Sequence, residues 1–308
     1  MGKQLDDARR LLTDERPDVL LIGRCIDPNS HERALVKIAR QTGIPSVSIV
    51  DEWYDYRANY SDELGNIFLP DTICCPDKQA LEEAVADGIS RHVLQVTGSP
   101  ALSALVERIH MSRRIPPENP FSAENSGTHQ VILLLSETIG DHCDDHQGKK
   151  EGQGSSIGYD EFKVRIDVAN ALNKLDSEVT VIEKLHPGVS KENFPPMELI
   201  NSNWRIYEYG NLFEYFWWSN AVIGMRSIAL LEAFLIGLPS ISYQPGVIGI
   251  NRCTAVKKGL VDCIVSQDSL HQWLADNIGG KPKTKIRRPN FACKEAPKAV
   301  FQAVENLI

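Results

Sequence analysis

The feature that most constrains this chain is an alternation of short apolar runs with helical segments, repeated along most of its length. Four runs with the length and composition of buried strands begin at residues 17, 45, 71 and 92; they read PDVLLIG, PSVSIVD, DTICCP and HVLQVTG. Short buried strands that alternate with helices are typical of βαβ units, whose strands form a parallel sheet. The first part of the chain therefore predicts an α/β domain.

A second alternating set begins at VILLLSE (131–137), after a segment rich in proline and polar residues that is typical of a linker. We predict an α/β protein with two Rossmann-like, doubly wound domains that face a cleft. The N-terminal domain spans 1–118, the linker 119–129 and the C-terminal domain 130–308. The first predicted element is a helix, KQLDDARRLL, so the N-terminal domain lacks the strand with which such folds usually begin.

Composition argues against several classes of partner. The 308 residues carry a formal net charge of −8, which disfavours nucleic acid or an anionic membrane as the main partner. No stretch is long and apolar enough to cross a membrane, although peripheral association stays open. Seven cysteines without a CxxC spacing, and an N-terminus without an apolar signal core, predict a cytoplasmic protein. The sequence does not determine an oligomeric state.

One segment contains residue types that bind metals. DHCDDH (141–146) lies beside a loop rich in glycine and lysine, and its spacing is not that of a known metal site. We therefore predict no metal site and no resident cofactor. Two other segments have structural interpretations: FEYFWW (213–218) as the core face of a helix, and KPKTKIRRPN (281–290) as a solvated connection.

Polar residues follow three predicted strands of the second domain. Ser136 and Glu137 follow VILLL, His186 follows VTVIEKL, and a corner at 224–227 follows AVI. Because the carboxyl ends of parallel strands open on one edge of a sheet, we expect these positions to lie along the same edge. Ligands of such sheets bind there, so we count these residues as candidate site residues.

The corner has the chemistry of an anion site. Gly224, Met225, Arg226 and Ser227 precede a nearly all-apolar helix, whose first N–H groups and dipole favour a diphosphate. Arg226 is a candidate phosphate clamp, and the carboxylate of Glu232 is a candidate acceptor for ribose hydroxyl groups. The alternatives are a plain helix cap at Ser227, an arginine that covers the turn, and a glutamate paired with a nearby base.

Other residues join this candidate nucleotide site. His186 offers a titratable imidazole for a phosphate contact or for general acid catalysis, or alternatively caps the neighbouring loop. Ser136 and Gln244, which follows the strand after the helix, are further candidate nucleotide-binding residues. Glu137 is a candidate catalytic carboxylate.

The first domain has its own cluster after a predicted strand. Asp51 and Glu52 are candidate general bases, and Trp53, Tyr56 and Arg57 are candidate contacts to a sugar acceptor. The alternative is a polar loop with ordinary surface aromatic residues.

Several of these motifs together carry a family resemblance. KLHP, followed further along by AVIGMRSIALLEAFLIGLPSISYQP, resembles the C-terminal domain of GT-B glycosyltransferases and of the related nucleotide-sugar 2-epimerases. GIPSVSIVDEWYDYRANY, and LLLSE followed by GYDEF, are similar to a bacterial surface-polysaccharide branch of that superfamily. The resemblance covers most of the chain in order. Arg226 departs from it, because that place is usually small or polar.

The resemblance implies both a site and an activity. It places His186, Ser227 and Glu232 at the diphosphate and ribose of a nucleotide-sugar. It implies a metal-independent glycosyltransferase of surface-polysaccharide biosynthesis, which transfers a sugar to a saccharide or lipid-linked acceptor. A nucleotide-sugar 2-epimerase or hydrolase would need the same binding residues. A non-catalytic protein that binds a nucleotide or a partner chain is the third hypothesis, favoured by the absence of the usual first strand.

Overall fold

A computed structural model describes residues 2–24, 30–62, 64–112, 118, 130–139, 157–175, 177–187, 189–278 and 290–308. The predicted linker (119–129), the segment DHCDDH and all but the last residue of the basic connection lie outside the described residues. The chain divides into two units. One consists of Met1–Arg108 with Arg288–Ile308, and the other of Ile109–Arg287.

The first unit is built on a sheet of four parallel strands. In the described residues the strands lie in chain order, β1-β2-β3-β4, and each neighbouring pair is parallel. Its elements are α1 (Gly2–Glu15), β1 (Leu20–Ile22), α2 (His31–Thr42), β2 (Ser46–Ile49), β3 (Thr72–Cys75), α3 (Lys78–Ala86), β4 (Leu94–Val96) and α4 (Pro100–Ser112), which ends beyond the unit boundary.

Capping residues explain where these helices begin and end. At the start of α2 the hydroxyl of Ser30 accepts a hydrogen bond from the N–H of Arg33 at 3.2 Å. At its end Gly43 has φ +73°, and its N–H donates to the carbonyl of Ala39. A serine N-cap and a left-handed glycine C-cap are standard helix boundaries.

The last helix corrects the predicted domain assignment. We placed the whole segment 130–308 in the C-terminal domain, but α10 (Ala296–Glu305) packs with the first unit. Val300 and Ala303 of this helix are buried together with Val47 of β2 and Cys74 of β3. Helical periodicity predicted that the segment has a buried face, but it does not say which sheet that face covers.

The second unit contains six parallel strands in the order β10-β9-β8-β5-β6-β7. The chain runs outward from β5 to β7 and then returns to the other side of β5 with β8, β9 and β10. This is the doubly wound order, and its switch point lies between β5 and β8. Its elements are β5 (Gln130–Leu135), α5 (Glu161–Leu172), β6 (Val179–Lys184), β7 (Asn203–Tyr207), α6 (Leu212–Trp218), β8 (Ala221–Gly224), α7 (Ala229–Ile236), β9 (Ser240–Tyr243), α8 (Thr254–Lys257), β10 (Asp262–Ile264) and α9 (Gln267–Asn277).

The predicted α/β class with two parallel sheets is confirmed. The first sheet differs from the prediction in one respect, because its described strands keep chain order and only the second sheet is doubly wound. In the second unit, apolar residues of the central strands pack with α5 and α9 into one core that contains Ile132, Leu134, Val164, Ile223 and Leu270. Every one of these side chains is buried. The rigid sheet fixes the strand ends, and through them the polar residues that follow each strand.

The packing of α10 predicts unequal effects of two neighbouring substitutions. Val300→Ala removes two buried methyl groups and should lower the free energy of unfolding by roughly 1–3 kcal/mol. Phe301→Ala is the control, because Phe301 is 61% exposed, and it should change stability by no more than about 0.5 kcal/mol. Urea unfolding followed by circular dichroism measures both. Equal losses in the two variants would contradict the packing of α10 on the first sheet.

Candidate functional site

The three strand-end positions of the second unit lie on neighbouring strands. β5 is followed by Ser136 and Glu137, and β6 by Leu185 and His186. β8 ends at Gly224, the first residue of the corner at 224–227. Since the strand order is β8-β5-β6 and all three strands are parallel, their carboxyl ends form one edge, as predicted. The corner and Glu137 lie on the two sides of the switch point.

Glu137 is bonded to the corner itself. One oxygen of its carboxylate, Oε1, accepts hydrogen bonds from three consecutive backbone N–H groups: Met225 at 2.9 Å, Arg226 at 2.6 Å and Ser227 at 2.8 Å. Successive N–H groups that converge on one oxygen form an anion-binding nest. Burial raises the pKa of this carboxyl, and the three N–H bonds oppose that shift.

This arrangement joins two predicted features, and both predicted roles stay predictions. The sequence assigned the corner N–H groups to a diphosphate and Glu137 to catalysis, as two separate features. In the structure the corner does bind an anionic oxygen, but the oxygen belongs to Glu137 of the same chain. The sequence identified the donors from their position before a helix and could not identify the acceptor, which is 88 to 90 residues away.

Two buried side chains hold the corner from below. The carbonyl of Met225 accepts bonds from the hydroxyl of Ser242 at 2.5 Å and from Nε2 of Gln244 at 3.1 Å. Gln244 also donates to Asn251 Oδ1 at 3.0 Å and is fully buried. Gln244, predicted to bind nucleotide, therefore positions the corner. Met225 likewise contributes its backbone, because its side chain is in the core.

Ser227 and Gly224 have local structural roles. The helix begins at Ala229, whose N–H donates to the hydroxyl of Ser227 at 3.2 Å, and Ile228 occupies the N-cap position. The N-cap position is therefore one residue later than predicted, and Ser227 caps the helix from the position before it. A Cβ on Gly224 would lie 3.0 Å from Cγ of Leu230, so glycine allows α7 to pack closely on β8.

Arg226 has hydrogen-bonding capacity that the described residues do not use. Its side chain is half-buried, and its buried Nε has no hydrogen-bond partner among the residues that the structure describes. The backbone N–H of Arg226 is bonded to Glu137, and burial raises the pKa of that carboxyl while the positive charge of Arg226 opposes the rise. An unpaired, partly desolvated guanidinium is costly and is a common feature of phosphate sites.

Tyr159 is a buried polar residue that the sequence analysis missed. It is 3% exposed, and its hydroxyl has no partner within the described ranges. Burial, followed by the negative charge of Glu137, raises the pKa of Tyr159, and the charge of Arg226 lowers it. Tyr159 is buried in the same cluster as Met225 of the corner. The one sequence signal for a close approach of the backbone here was Gly158, just before Tyr159. In the structure Gly158 has φ +92°, and a Cβ at this position would collide with the carbonyl of Gly246.

The carboxylate of Glu232 has no hydrogen-bond or ion-pair partner among the described residues. The residue lies in the first turn of α7 and is partly buried. Burial raises the pKa of this carboxyl. The described residues therefore contain no base paired with Glu232, which was the alternative interpretation. Its carboxylate keeps its full capacity to accept hydrogen bonds.

His186 and Ser136 differ in their accessibility. His186 is exposed at the end of β6, with Nδ1 2.8 Å from the carbonyl oxygen of Pro187. Ser136 is buried, and its N–H donates to the carbonyl of Lys184 at 3.0 Å, which extends the pairing of β5 with β6. His186 is thus accessible to a ligand, whereas the backbone of Ser136 is part of the sheet.

The candidate bases of the first unit are bound by an arginine that the sequence analysis did not consider. Arg24 follows β1, and its Nε lies 2.8 Å from Oδ1 of Asp51, which follows β2. A second guanidinium nitrogen is hydrogen-bonded to Glu52. The side chain of Arg24 is only 10% exposed, so it anchors both acids at this sheet edge. Their role as general bases stays a prediction.

The aromatic residues beside them are structural. Trp53 is fully buried, donates from Nε1 to Asp77 at 3.0 Å and packs edge-on against Phe291. Tyr56 is also buried and donates to Glu83 at 3.1 Å. Neither ring has a free face for a sugar, which corrects their predicted acceptor role. Arg57 is exposed, and its backbone N–H donates to Asp87 at 2.7 Å.

Comparisons with known proteins show similarity at the level of structure. No protein-family model matches the sequence, and no curated protein matches it. A UDP-GlcNAc 2-epimerase from Neisseria meningitidis, solved with UDP-GlcNAc bound, superposes with a TM-score of 0.66 and 16% identity over 99% of this chain and 80% of that chain. This chain shares the α/β fold of that structure.

Two further structures have this fold. A UDP-GlcNAc 2-epimerase from Methanocaldococcus jannaschii, in complex with UDP-GlcNAc and UDP, gives a TM-score of 0.64 at 14% identity over 99% of this chain and 80% of that chain. MurG from Acinetobacter baumannii gives 0.52 at 11% identity over 98% and 76%. At these identities the similarity establishes the fold alone.

Two negative findings hold for the described part of the chain only. It has no helix with the length and apolar character needed to cross a membrane. It also has no group of three or more His, Cys, Asp or Glu side chains placed to bind a metal ion.

The bonds to the corner predict that two glutamates of this edge differ in their effect on stability. Glu137→Ala leaves three N–H groups without their acceptor and should lower the free energy of unfolding at pH 7 by roughly 1–3 kcal/mol. Glu232→Gln is the control, since it alters a carboxylate that has no partner in the described residues. Thermal and urea unfolding measure both. An unchanged stability of Glu137→Ala would show that the carboxylate does not hold the corner.

The pKa of Glu232 predicts how the control variant responds to pH. Because burial raises its folded-state pKa above the unfolded value, the folded state binds this proton more tightly, and stability falls as pH rises through the folded pKa. Glu232→Gln removes this loss. Its stability relative to wild type should therefore increase from acidic to neutral pH, measured as the difference in melting temperature at each pH. A difference that does not vary with pH would contradict a raised pKa.

Proposed function

We propose that the second unit binds the nucleoside diphosphate part of a nucleotide-sugar at the carboxyl edge of its sheet, and that the protein catalyses a reaction of the 2-epimerase type. The observation that supports binding is a pair of groups at the start of one helix beside the switch point. Nε of Arg226 and the carboxylate of Glu232 both have no hydrogen-bond partner among the described residues. A ligand that carries both an anionic group and hydroxyl groups would complement both residues. The anionic group would bind Arg226, and the hydroxyl groups would donate hydrogen bonds to Glu232.

The anionic part is assigned to Arg226. A guanidinium binds phosphate oxygens in a bidentate manner, which would satisfy donors that the described residues leave free. The positive end of the dipole of α7 (Ala229–Ile236) adds attraction for negative charge in the same place. A reaction that breaks the bond between sugar and diphosphate places charge on the diphosphate, and these groups would stabilise that charge.

The hydroxyl part is assigned to Glu232. An ionised carboxylate accepts hydrogen bonds and donates none, so it matches the two hydroxyl groups of a ribose. His186, exposed at the end of the neighbouring strand β6, is the proposed contact to the diphosphate or the sugar. This assignment agrees with what the family resemblance implies for both residues.

The reaction type is proposed from the comparisons. The similar structures include 2-epimerases solved with UDP-GlcNAc, which supports epimerisation at least as well as the sugar transfer that the sequence predicted. No observation supports a saccharide or lipid-linked acceptor. Transfer, hydrolysis and binding without turnover are therefore outcomes that the activity assay distinguishes.

Titration calorimetry with UDP tests the binding site. Arg226→Ala should weaken UDP by about 10- to 150-fold, which corresponds to the 1.5–3 kcal/mol of a hydrogen bond to a charged group. Lys174→Ala is the charge-matched control, because this exposed lysine follows the C-terminal end of α5, away from the carboxyl edge of the strands, and it should leave affinity unchanged. Equal effects of the two variants would indicate only a general loss of positive charge.

Glu232→Gln should separate the two parts of the ligand. It should weaken UDP, which has a ribose, and leave inorganic pyrophosphate unaffected, since pyrophosphate has no hydroxyl group for this carboxylate. The same variant is expected to be more stable than wild type at neutral pH, so weaker UDP binding could not be attributed to damaged folding. Unchanged UDP affinity in both Glu232→Gln and Arg226→Ala would mean that the corner is only a helix cap.

Proton NMR of UDP-GlcNAc incubated with the full chain tests the reaction. Epimerisation produces a second set of sugar signals without any acceptor, and hydrolysis produces free sugar. Consumption that requires an added saccharide would indicate transfer. Binding of UDP-GlcNAc without any chemical change would support the non-catalytic alternative and contradict the proposed reaction.

A further inference from the structure

The nest at the corner is occupied by Glu137, while two hydrogen-bond donors beside it are unused. The buried Nε of Arg226 and the buried hydroxyl of Tyr159 have no partner among the described residues. Tyr159 belongs to the same buried cluster as Met225 of the corner and Leu134 of β5, the strand that Glu137 follows. The charges of both Glu137 and Arg226 also affect the pKa of its hydroxyl. Three donors here are satisfied by one carboxylate oxygen, and two are not.

An unsatisfied buried donor costs free energy, and a folded protein usually avoids it. An ionised carboxylate accepts up to about four hydrogen bonds and donates none, so it can accept one from Nε of Arg226 and one from the hydroxyl of Tyr159. If the carboxylate of Glu137 left the N–H groups of 225–227, it could accept hydrogen bonds from the two unused donors, Nε of Arg226 and the hydroxyl of Tyr159. Arg226 has five N–H donors, so Nε can bind Glu137 while the terminal nitrogens stay available for a phosphate.

We propose that Glu137 is an internal competitor for the anion site, and that Tyr159 and Nε of Arg226 receive its carboxylate when a diphosphate enters the nest. The proposal rests on the proposed nucleotide binding at this edge. It makes Glu137 and Tyr159 determinants of specificity. An anion held by the nest alone has to displace a tethered carboxylate, whereas a nucleoside diphosphate has additional contacts at Arg226 and Glu232 with which to do so.

Titration of the full chain with UDP and with inorganic phosphate tests this competition. Glu137→Ala removes the competing anion and should tighten UDP by tenfold or more. It should also raise the affinity for inorganic phosphate above that of wild type. Glu137→Gln keeps the shape of the side chain, removes the charge and should tighten UDP by a smaller factor. This second variant keeps the test valid if the alanine variant does not fold.

Tyr159→Phe provides a readout that a merely structural role would not give. In the wild-type background it removes one recipient of the displaced carboxylate and should weaken UDP several-fold. In the Glu137→Ala background there is no carboxylate to receive, so Tyr159→Phe should have no effect. The two single variants and the double variant form a double-mutant cycle that measures this coupling.

The outcomes separate this inference from the function on which it rests. UDP that binds wild type, but binds both Glu137 variants equally or more weakly, would overturn the competition and leave the nucleotide site in place. A Tyr159→Phe effect that is the same in both backgrounds would overturn the role of Tyr159 as recipient. Absence of UDP binding in every variant would overturn the nucleotide site itself, and the competition with it.

Discussion

The second unit depends on the hydrogen bonds between one carboxylate oxygen and three backbone N–H groups. Glu137 follows β5 and the N–H groups follow β8, so these bonds connect two strands that are neighbours only because the sheet is doubly wound. Charge-assisted bonds to backbone donors are short and directional, and they fix the start of α7 relative to β5. The positions of Arg226 and Glu232 follow from that geometry.

The same bonds determine the electrostatics of the edge. The negative charge of Glu137 offsets the N–H groups to which it is bonded and the dipole of α7. Nε of Arg226 and the carboxylate of Glu232, beside the corner, have no hydrogen-bond partner among the described residues. Groups left unsatisfied in an otherwise well-bonded fold are typical of functional sites. The core below them, which includes Gln244 and Ser242, is bonded so that the corner is held in place.

The sequence predicted what depends on nearby residues. Helix boundaries such as Ser30 and Gly43, and the apolar strands between them, follow from capping chemistry and periodicity, which act over a few residues. The corner was recognisable as an anion site for the same reason. Its occupant was not, because a partner 88 residues away is set by the strand order of the sheet, and no local pattern encodes that order.

The roles of the polar and aromatic residues in the first unit depend on partners that are distant in sequence. Trp53 and Tyr56 were expected to face a sugar because aromatic residues after a strand often do. Their polar atoms instead bond to Asp77 and Glu83 of the α3 region, which allows both rings to be buried. Arg24 was missed for the converse reason: a lone arginine after a strand has no pattern of its own, and its two acidic partners are 27 and 28 residues further on.

The place of α10 has a consequence for synthesis of the chain. The second unit is inserted between two parts of the first, since the chain leaves the first unit at Arg108 and returns to it at Arg288. A ribosome therefore completes the whole second unit before it makes the helix that covers Val47 and Cys74. Domains usually form in N- to C-terminal order as they emerge. Here the unit encoded first is finished last, and until then part of the apolar face of its sheet is open to chaperones or to other nascent chains.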